Sequence, residues 1–307
     1  MFDGIKVARV DQDKNPADEN NFHQYPFPNI AKKAAEAVAR KSKQKILESS
    51  AQVVIKPKQL PLWHESIRCL PNEIFHSALF NAKNQNISRV NLKQADIEII
   101  GEGRLTYTGE ELRQDDETVW LQLIHLAKEQ PLGKTVDFTA YSFCKAIGWP
   151  ICGASYVRLR NCLIRMQATA LSVYSKRLKD GVSLSMIPQF KWRDEITKKP
   201  LTKYQVQIAP ELVTLFGNVH FTQIEWTQRL ELPNGLATWL HGYYASHRKP
   251  HAIKIGTIKR GAGITTVNPK HLRGLIKKVL IELVRVNFLS SWEIVGDLIH
   301  VVRTSRK

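Results

Sequence analysis

The chain has 307 residues, 43% of them hydrophobic, which is enough for two modest packed domains. Its 45 Lys and Arg against 28 Asp and Glu give a formal charge of +17, which does little for folding and points to a polyanionic partner. The opening Met1-Phe2-Asp3-Gly4 carries no hydrophobic signal core, and the most apolar stretch, 279–286, is broken by Glu282 and Arg285 and too short for a bilayer. No membrane partner and a cytoplasmic location are therefore expected.

Residues 1–58 read as a flexible tail. Positions 11–29 are polar with three prolines and few aliphatics, the composition of a disordered segment. Positions 30–50, rich in alanine, favour a transient or partner-dependent helix. The folded part opens near His64, with a short helix at 74–80 and a hairpin pairing 97–100 with 104–107 about Gly101-Glu102-Gly103. Asp115-Asp116-Glu117 supplies an N-cap and first-turn acids for a helix bearing Val119, Trp120, Leu123 and Ala127. A strand at 136–139 follows, then a helix capped by Thr139, a third helix at 155–171, and alternating stretches to 208. The second half repeats the plan: a strand at 221–226, a helix at 234–246, a weak helix at 253–259, a long helix at 269–286, and a hairpin turning at Gly296-Asp297. Helix, strand, helix, helix, hairpin is the order of a winged helix, a variant of helix-turn-helix. The expectation is an α+β fold with two tandem winged-helix domains, 64–217 and 218–307, behind a disordered or partly helical N-terminal tail.

Charge follows the same division. Positions 138–179 hold seven bases and no acid, positions 249–307 hold twelve bases and three acids, and positions 96–117 hold eight acids and two bases. In each third helix an apolar stripe (Leu159, Leu163, Met166, Ala170; then Leu272, Ile276, Val279, Leu283) lies opposite a basic one, the pattern a major-groove helix requires. The basic lines are Arg158, Asn161 and Arg165 in the first half and Lys270, Arg273 and Lys277 in the second. Ser155, Tyr156, Arg160, His271 and Lys278 lie on the same helices, and Lys254, Lys259 and Arg260 on the segment before the second. Lys176, Arg177 and Lys179 sit at a hairpin turn, within reach of phosphate or the minor groove, and Lys191, Arg193, Lys198 and Lys199 sit on the next. Gly274 inside a helix costs about 1 kcal/mol against alanine, a cost assigned to helix packing ahead of close DNA approach.

Enzymatic chemistry finds little support. Gly256-x4-Gly261 is followed by Ala262-Gly263 where a phosphate loop needs Lys and Ser or Thr. Ten histidines and four cysteines never reach zinc-ligand spacing, so no metal or cofactor is expected. Cys69, Cys144, Cys152 and Cys162 read as reduced core thiols.

Several ordered motifs carry a resemblance. They are Pro71-Asn72 with Ser77-Ala78-Leu79-Phe80; Thr106-Tyr107-Thr108-Gly109-x-Glu111-Leu112-Arg113-x-Asp115-Asp116; Val119-Trp120; Gly148-Trp149; Arg165-x-Gln167-Ala168-Thr169-Ala170; and Ser246-His247-Arg248-x-Pro250. Over most of 59–307 the chain resembles the TrfA-type plasmid replication initiators. The resemblance implies binding of directly repeated origin sites (iterons) in double-stranded DNA and opening of an adjacent AT-rich segment. It also implies recruitment of the host replicative helicase and the host initiator ATPase, and exchange between DNA-binding monomers and inactive dimers. Differences at exposed positions such as Arg160 and Asn161 imply a different iteron sequence. A transcriptional repressor using the same domains is the alternative. Gln59-Leu60-Pro61-Leu62-Trp63 resembles the Gln-Leu-x-Leu-Phe peptide that grips the sliding clamp, and the family carries such a peptide here; the competing explanation is packing of Leu60, Leu62 and Trp63 on the first domain.

Overall fold

The computed structural model describes residues 59–305, apart from 102, 175–180, 194, 195, 198, 217–219, 266 and 267. The expected tail and its helix lie outside these residues, and everything described belongs to one compact unit beginning at Pro57.

The first half is organised around α2 (Gln114–Ala127), a helix buried along nearly its whole length. Its first backbone donors are met from within, since Asp116 Oδ2 accepts the Arg113 N–H at 2.8 Å, and acids there also suit the positive end of the helix dipole. Before it come β1 (Ile67–Pro71), the single turn α1 (Asn72–Phe75), β2 (Phe80–Asn81), β3 (Asn91–Ile97), β4 (Arg104–Glu110) and β5 (Leu112–Arg113). The expected helix at 74–80 thus stops at Phe75, and Phe80 instead pairs in parallel with Leu112. The expected hairpin about 101–103 is present with Ile97 opposite Leu105, although its first strand lies earlier than 97–100.

After α2 the chain forms β6 (Thr135–Phe138), α3 (Ala140–Ala146) and α4 (Gly153–Gln167). Thr139 caps α3 as expected, its Oγ1 accepting from Ser142 N at 3.0 Å. Helix α4 ends before the predicted 171, because Ala170 and Leu171 already belong to β7 (Ala170–Tyr174), whose partner is β4; Ala170 is accordingly exposed. Strand β8 (Gly181–Leu184) adds to β7, completing a sheet of order β3-β4-β7-β8. A separate sheet, β6-β10-β9, joins β6 to the hairpin of β9 (Gln189–Arg193) and β10 (Pro200–Gln207). A short helix α5 (Leu212–Phe216) leads on to β11 (Phe221–Glu225).

The second half comprises α6 (Trp226–Glu231), α7 (Leu236–Ala245), β12 (Ile253–Lys254), α8 (Ile255–Gly261), α9 (Pro269–Arg285), β13 (Leu289–Val295) and β14 (Leu298–Arg303). Its sheet has the order β12-β14-β13. The predicted stripe Leu272, Ile276, Val279 and Leu283 is buried in a hydrophobic cluster that begins at Leu232, while the first-half cluster runs on through Ile224 and Trp226.

The halves are tied together firmly. Strand β1 pairs antiparallel with β11, Cys69 opposite Gln223. Trp239 donates its indole N–H to Ser77 O at 3.1 Å, and the Phe75 ring lies so close to Gly242 that a Cβ there would meet it at 2.5 Å. Arg229 of α6, only 1% exposed, donates to Thr238 O at 3.1 Å and pairs with Glu117 of α2 at 3.2 Å. Burial pushes the carboxyl up and the guanidinium down, and each charge opposes the shift of the other. We expect Arg229→Ala to cost roughly 3–5 kcal/mol in urea unfolding, because Glu117 is left buried and unpaired. Combining Arg229→Met with Glu117→Leu is expected to restore most of that loss.

Candidate nucleic-acid interface

On α4 the structure redistributes the predicted basic line. Arg165 is turned back onto the protein, pairing with the fully buried Asp116 at 3.0 Å and with Glu110 at 3.2 Å. Arg158 lies over the Trp149 ring at 4.1 Å and reaches Asp115 at 3.3 Å, and Arg160 lies over the Trp192 ring at 4.6 Å. Ser155 is buried beside the Cys152 thiol and Tyr156 packs at the core margin, so neither faces outward. Of the residues singled out on this helix only Asn161 stands exposed, with Val157 and Ile164 as its outward neighbours. Those two apolar residues were missed because an apolar residue in a helix reads as core.

The three acids at the head of α2 explain this rearrangement. Beyond starting the helix, Asp115 and Asp116 receive Arg89 at 2.9 and 2.7 Å from the loop before β3. Burial raises the Asp115 carboxyl, but Arg89 and Arg158 outweigh it and hold the group below the usual carboxylate range. Cys162 Sγ also lies within 4.8 Å of an oxygen of each of these carboxylates, but arginines already occupy their oxygens, which makes the trio charge-compensated core. Cys69 and Cys144 are buried as well, whereas Cys152 is exposed, against the expectation of four core thiols.

Helix α9 keeps its cations outside. Asn268 caps it, accepting from Lys270 N and His271 N at 3.0 and 3.2 Å, and Lys270, His271, Lys277 and Lys278 are all exposed. Gly274 lies among them, and a Cβ there would meet nothing within 4 Å, so packing does not account for this glycine. Arg273 departs from the expected line: it donates to the Gly296 carbonyl and so braces the β13–β14 turn. Lys254 is exposed on β12, Lys259 is half-buried on α8, and Arg260 makes an exposed pair with Glu98 at 3.3 Å.

Lys176, Arg177 and Lys179 lie outside the described residues, between β7 and β8, strands of the sheet that does not include β6. The hairpin that shares a sheet with β6, and so stands beside α3 and α4, is β9–β10, carrying exposed Lys191 and Lys199.

Residues 59–63 are docked on the body rather than extended into solvent. Leu60 and Trp63 are buried, the Trp63 ring stacks on Phe216 at 6.1 Å, and its N–H donates to His125 Nδ1 at 3.1 Å. Gln59 donates to Lys128 O at 3.4 Å, while Leu62 is 71% exposed. Packing therefore accounts for two of the three apolar residues, and a clamp pocket could take Trp63 only after the ring had left this site. Next to it, hydrogen bonds from Lys128 and His125 hold the Glu65 carboxyl down at about 2.

The family model described as the TrfA protein matches residues 28–303. The chain belongs to the TrfA family. A plasmid replication initiator protein TrfA from Escherichia coli is 33% identical over 282 residues, 90% of this chain and 72% of that protein. Among solved structures, domains 2 and 3 of RctB match this TrfA-family fold with a TM-score of 0.51 at 11% identity, covering 76% of this chain and 99% of that one. The Pi initiator protein in complex with iteron DNA matches with a TM-score of 0.50 at 12% identity, covering 80% and 100%. At such identities the likeness is one of fold. Among the described residues no helix is long and apolar enough to cross a membrane.

Two predictions follow from the docked segment of this TrfA-family chain. Trp63→Ala is expected to destabilise the fold by about 3–5 kcal/mol and Leu62→Ala by less than about 0.5 kcal/mol in denaturant unfolding. Because the Glu65 carboxyl is depressed from 4.5, its contribution is complete above about pH 4.5 and disappears as pH falls towards 2. Acid titration of stability by denaturant unfolding is expected to report that loss, and Glu65→Gln to reduce the pH dependence in this window, leaving the part that Asp115 contributes.

Proposed function

We propose that this chain initiates plasmid replication by binding iterons in double-stranded origin DNA through two tandem winged-helix domains. The observation that carries the reading is the repeated order of helix, strand, helix, helix and hairpin. It runs α2, β6, α3, α4 and β9–β10 in the first half, where β7 and β8 are inserted before the hairpin and join another sheet, and α7, β12, α8, α9 and β13–β14 without interruption in the second. In each half the strand joins the sheet of the hairpin, and the last helix turns a stripe of side chains outward. The names of the Escherichia coli relative and of the iteron-bound Pi structure support the assignment. Helices α4 and α9 enter successive major grooves, with Lys270, Lys277 and Lys278 on phosphate.

The role is non-enzymatic. Binding free energy over several repeats opens the AT-rich segment, the host replicative helicase and initiator ATPase are recruited to it, and dimerisation withdraws the active monomer. This role places the chain in the cytoplasm with the plasmid.

Selection of bound duplexes from a random pool tests the reading. It is expected to return a site of about 20 base pairs that recurs in tandem in the plasmid origin. Protection confined to a single groove would count against two reading helices, and nicking of supercoiled plasmid in magnesium would favour an enzyme. Lys277→Ala and Lys278→Ala are each expected to weaken all sequences alike and to reduce the salt slope by about one. Gly274→Ala is expected to stabilise the free protein by up to about 1 kcal/mol, as helix propensity dictates, yet to weaken DNA binding by holding α9 off the groove. Thermal melting and titration of one preparation read both effects.

A further inference from the structure

The outward centre of α4 is neutral. Val157 and Ile164 are 46% and 41% exposed, seven residues apart, with exposed Asn161 between them on the same face. Arg158 and Arg165 flank this line on one side, and both are engaged by acids of α2. Arg160 flanks it on the other, held over Trp192. At its edge Glu110 is paired with Arg165. In α9 the corresponding face carries Lys270, Gly274, Lys277 and Lys278 over its first half, with Ile281 and Val284 exposed only beyond them. Two helices in the same slot thus present different chemistry to the solvent.

We propose that α4 reads A·T base pairs in the major groove through Val157, Asn161 and Ile164. This inference rests on the DNA-binding reading above. A thymine C5 methyl is the apolar group that the major groove displays, and an Asn carboxamide matches adenine N6 and N7 as donor and acceptor. A branched aliphatic on each side of an Asn is therefore complementary to adenine with thymine methyls nearby, whereas guanine asks for a free guanidinium that this line lacks. The helix carries no acid and exposed Lys191 stands on the neighbouring strand β9, which suits a polyanion, and a few exposed aliphatic side chains fall short of a protein-docking patch.

The test uses the full chain and the duplex recovered from the random pool, replacing each thymine in turn by deoxyuridine, which removes only the methyl. One or two positions are expected to weaken binding about fourfold each (about 0.8 kcal/mol). Val157→Ala and Ile164→Ala are each expected to abolish that sensitivity at one position, and Asn161→Ala to lose tenfold or more of the discrimination at an adjacent adenine. Should an alanine variant fold poorly, Val157→Thr and Ile164→Thr keep the branched shape and are expected to blunt the same response. Uniform binding across all deoxyuridine duplexes overturns the inference. So does equal sensitivity in native and variant chains, or a change of oligomeric state by light scattering with methyl sensitivity intact. A pool that returns no preferred duplex overturns the DNA-binding reading itself, and this inference with it.

Discussion

Three consecutive carboxylates inside the protein, Asp115, Asp116 and Glu117, set the terms for everything packed around them. Buried charge of one sign is costly unless opposite charge meets it with good hydrogen-bond geometry. Four arginines from distant parts of the chain do so: Arg89 from a loop, Arg158 and Arg165 from α4, and Arg229 from α6. The same acids therefore orient α4 against α2 and hold the second half against the first. Arginine suits the task, since a planar fork engages two oxygens at once and keeps its charge when buried.

The periodic parts of the fold could be read from the chain. The apolar stripe of α9, the Thr139 cap, the Gly296-Asp297 turn and the succession α2, β6, α3 and α4 all follow from local spacing, whereas β12 and α6 went unread. What spacing does not encode is pairing between remote segments. The assignment of β7 to β4 shortens α4 and moves a hairpin to another sheet, and nothing near Ala170 signals it. The single turn at 72–75 gives way to β2 because Phe80 finds Leu112, thirty-two residues later.

The site was legible to a different degree in each half. On α9 the exposed lysines stand where amphipathic spacing puts them, because long ammonium side chains remain in water when no acid is near. On α4 the same logic fails: arginines that count as surface charge in a sequence neutralise internal acids, and the outward positions fall to Val157, Asn161 and Ile164. A cluster of acids in one segment and of arginines in another was the available signal, and it described an internal ion network as much as an external footprint. Formal charge thus overstates what the first half offers a polyanion.

The pairing of β1 with β11 bears on how the chain is made. Positions 69 and 223 stand opposite each other, so a ribosome adding roughly 5–20 residues per second leaves β1 without its partner for on the order of ten to thirty seconds. During that interval Arg68, Cys69 and Leu70, all buried in the finished protein, lie on an open strand edge of a growing chain. Closure of a loop this long is slow compared with the local hairpins. The newborn protein is therefore most prone to aggregate late in synthesis, when its first core is nearly complete but the strand that seals it has yet to emerge.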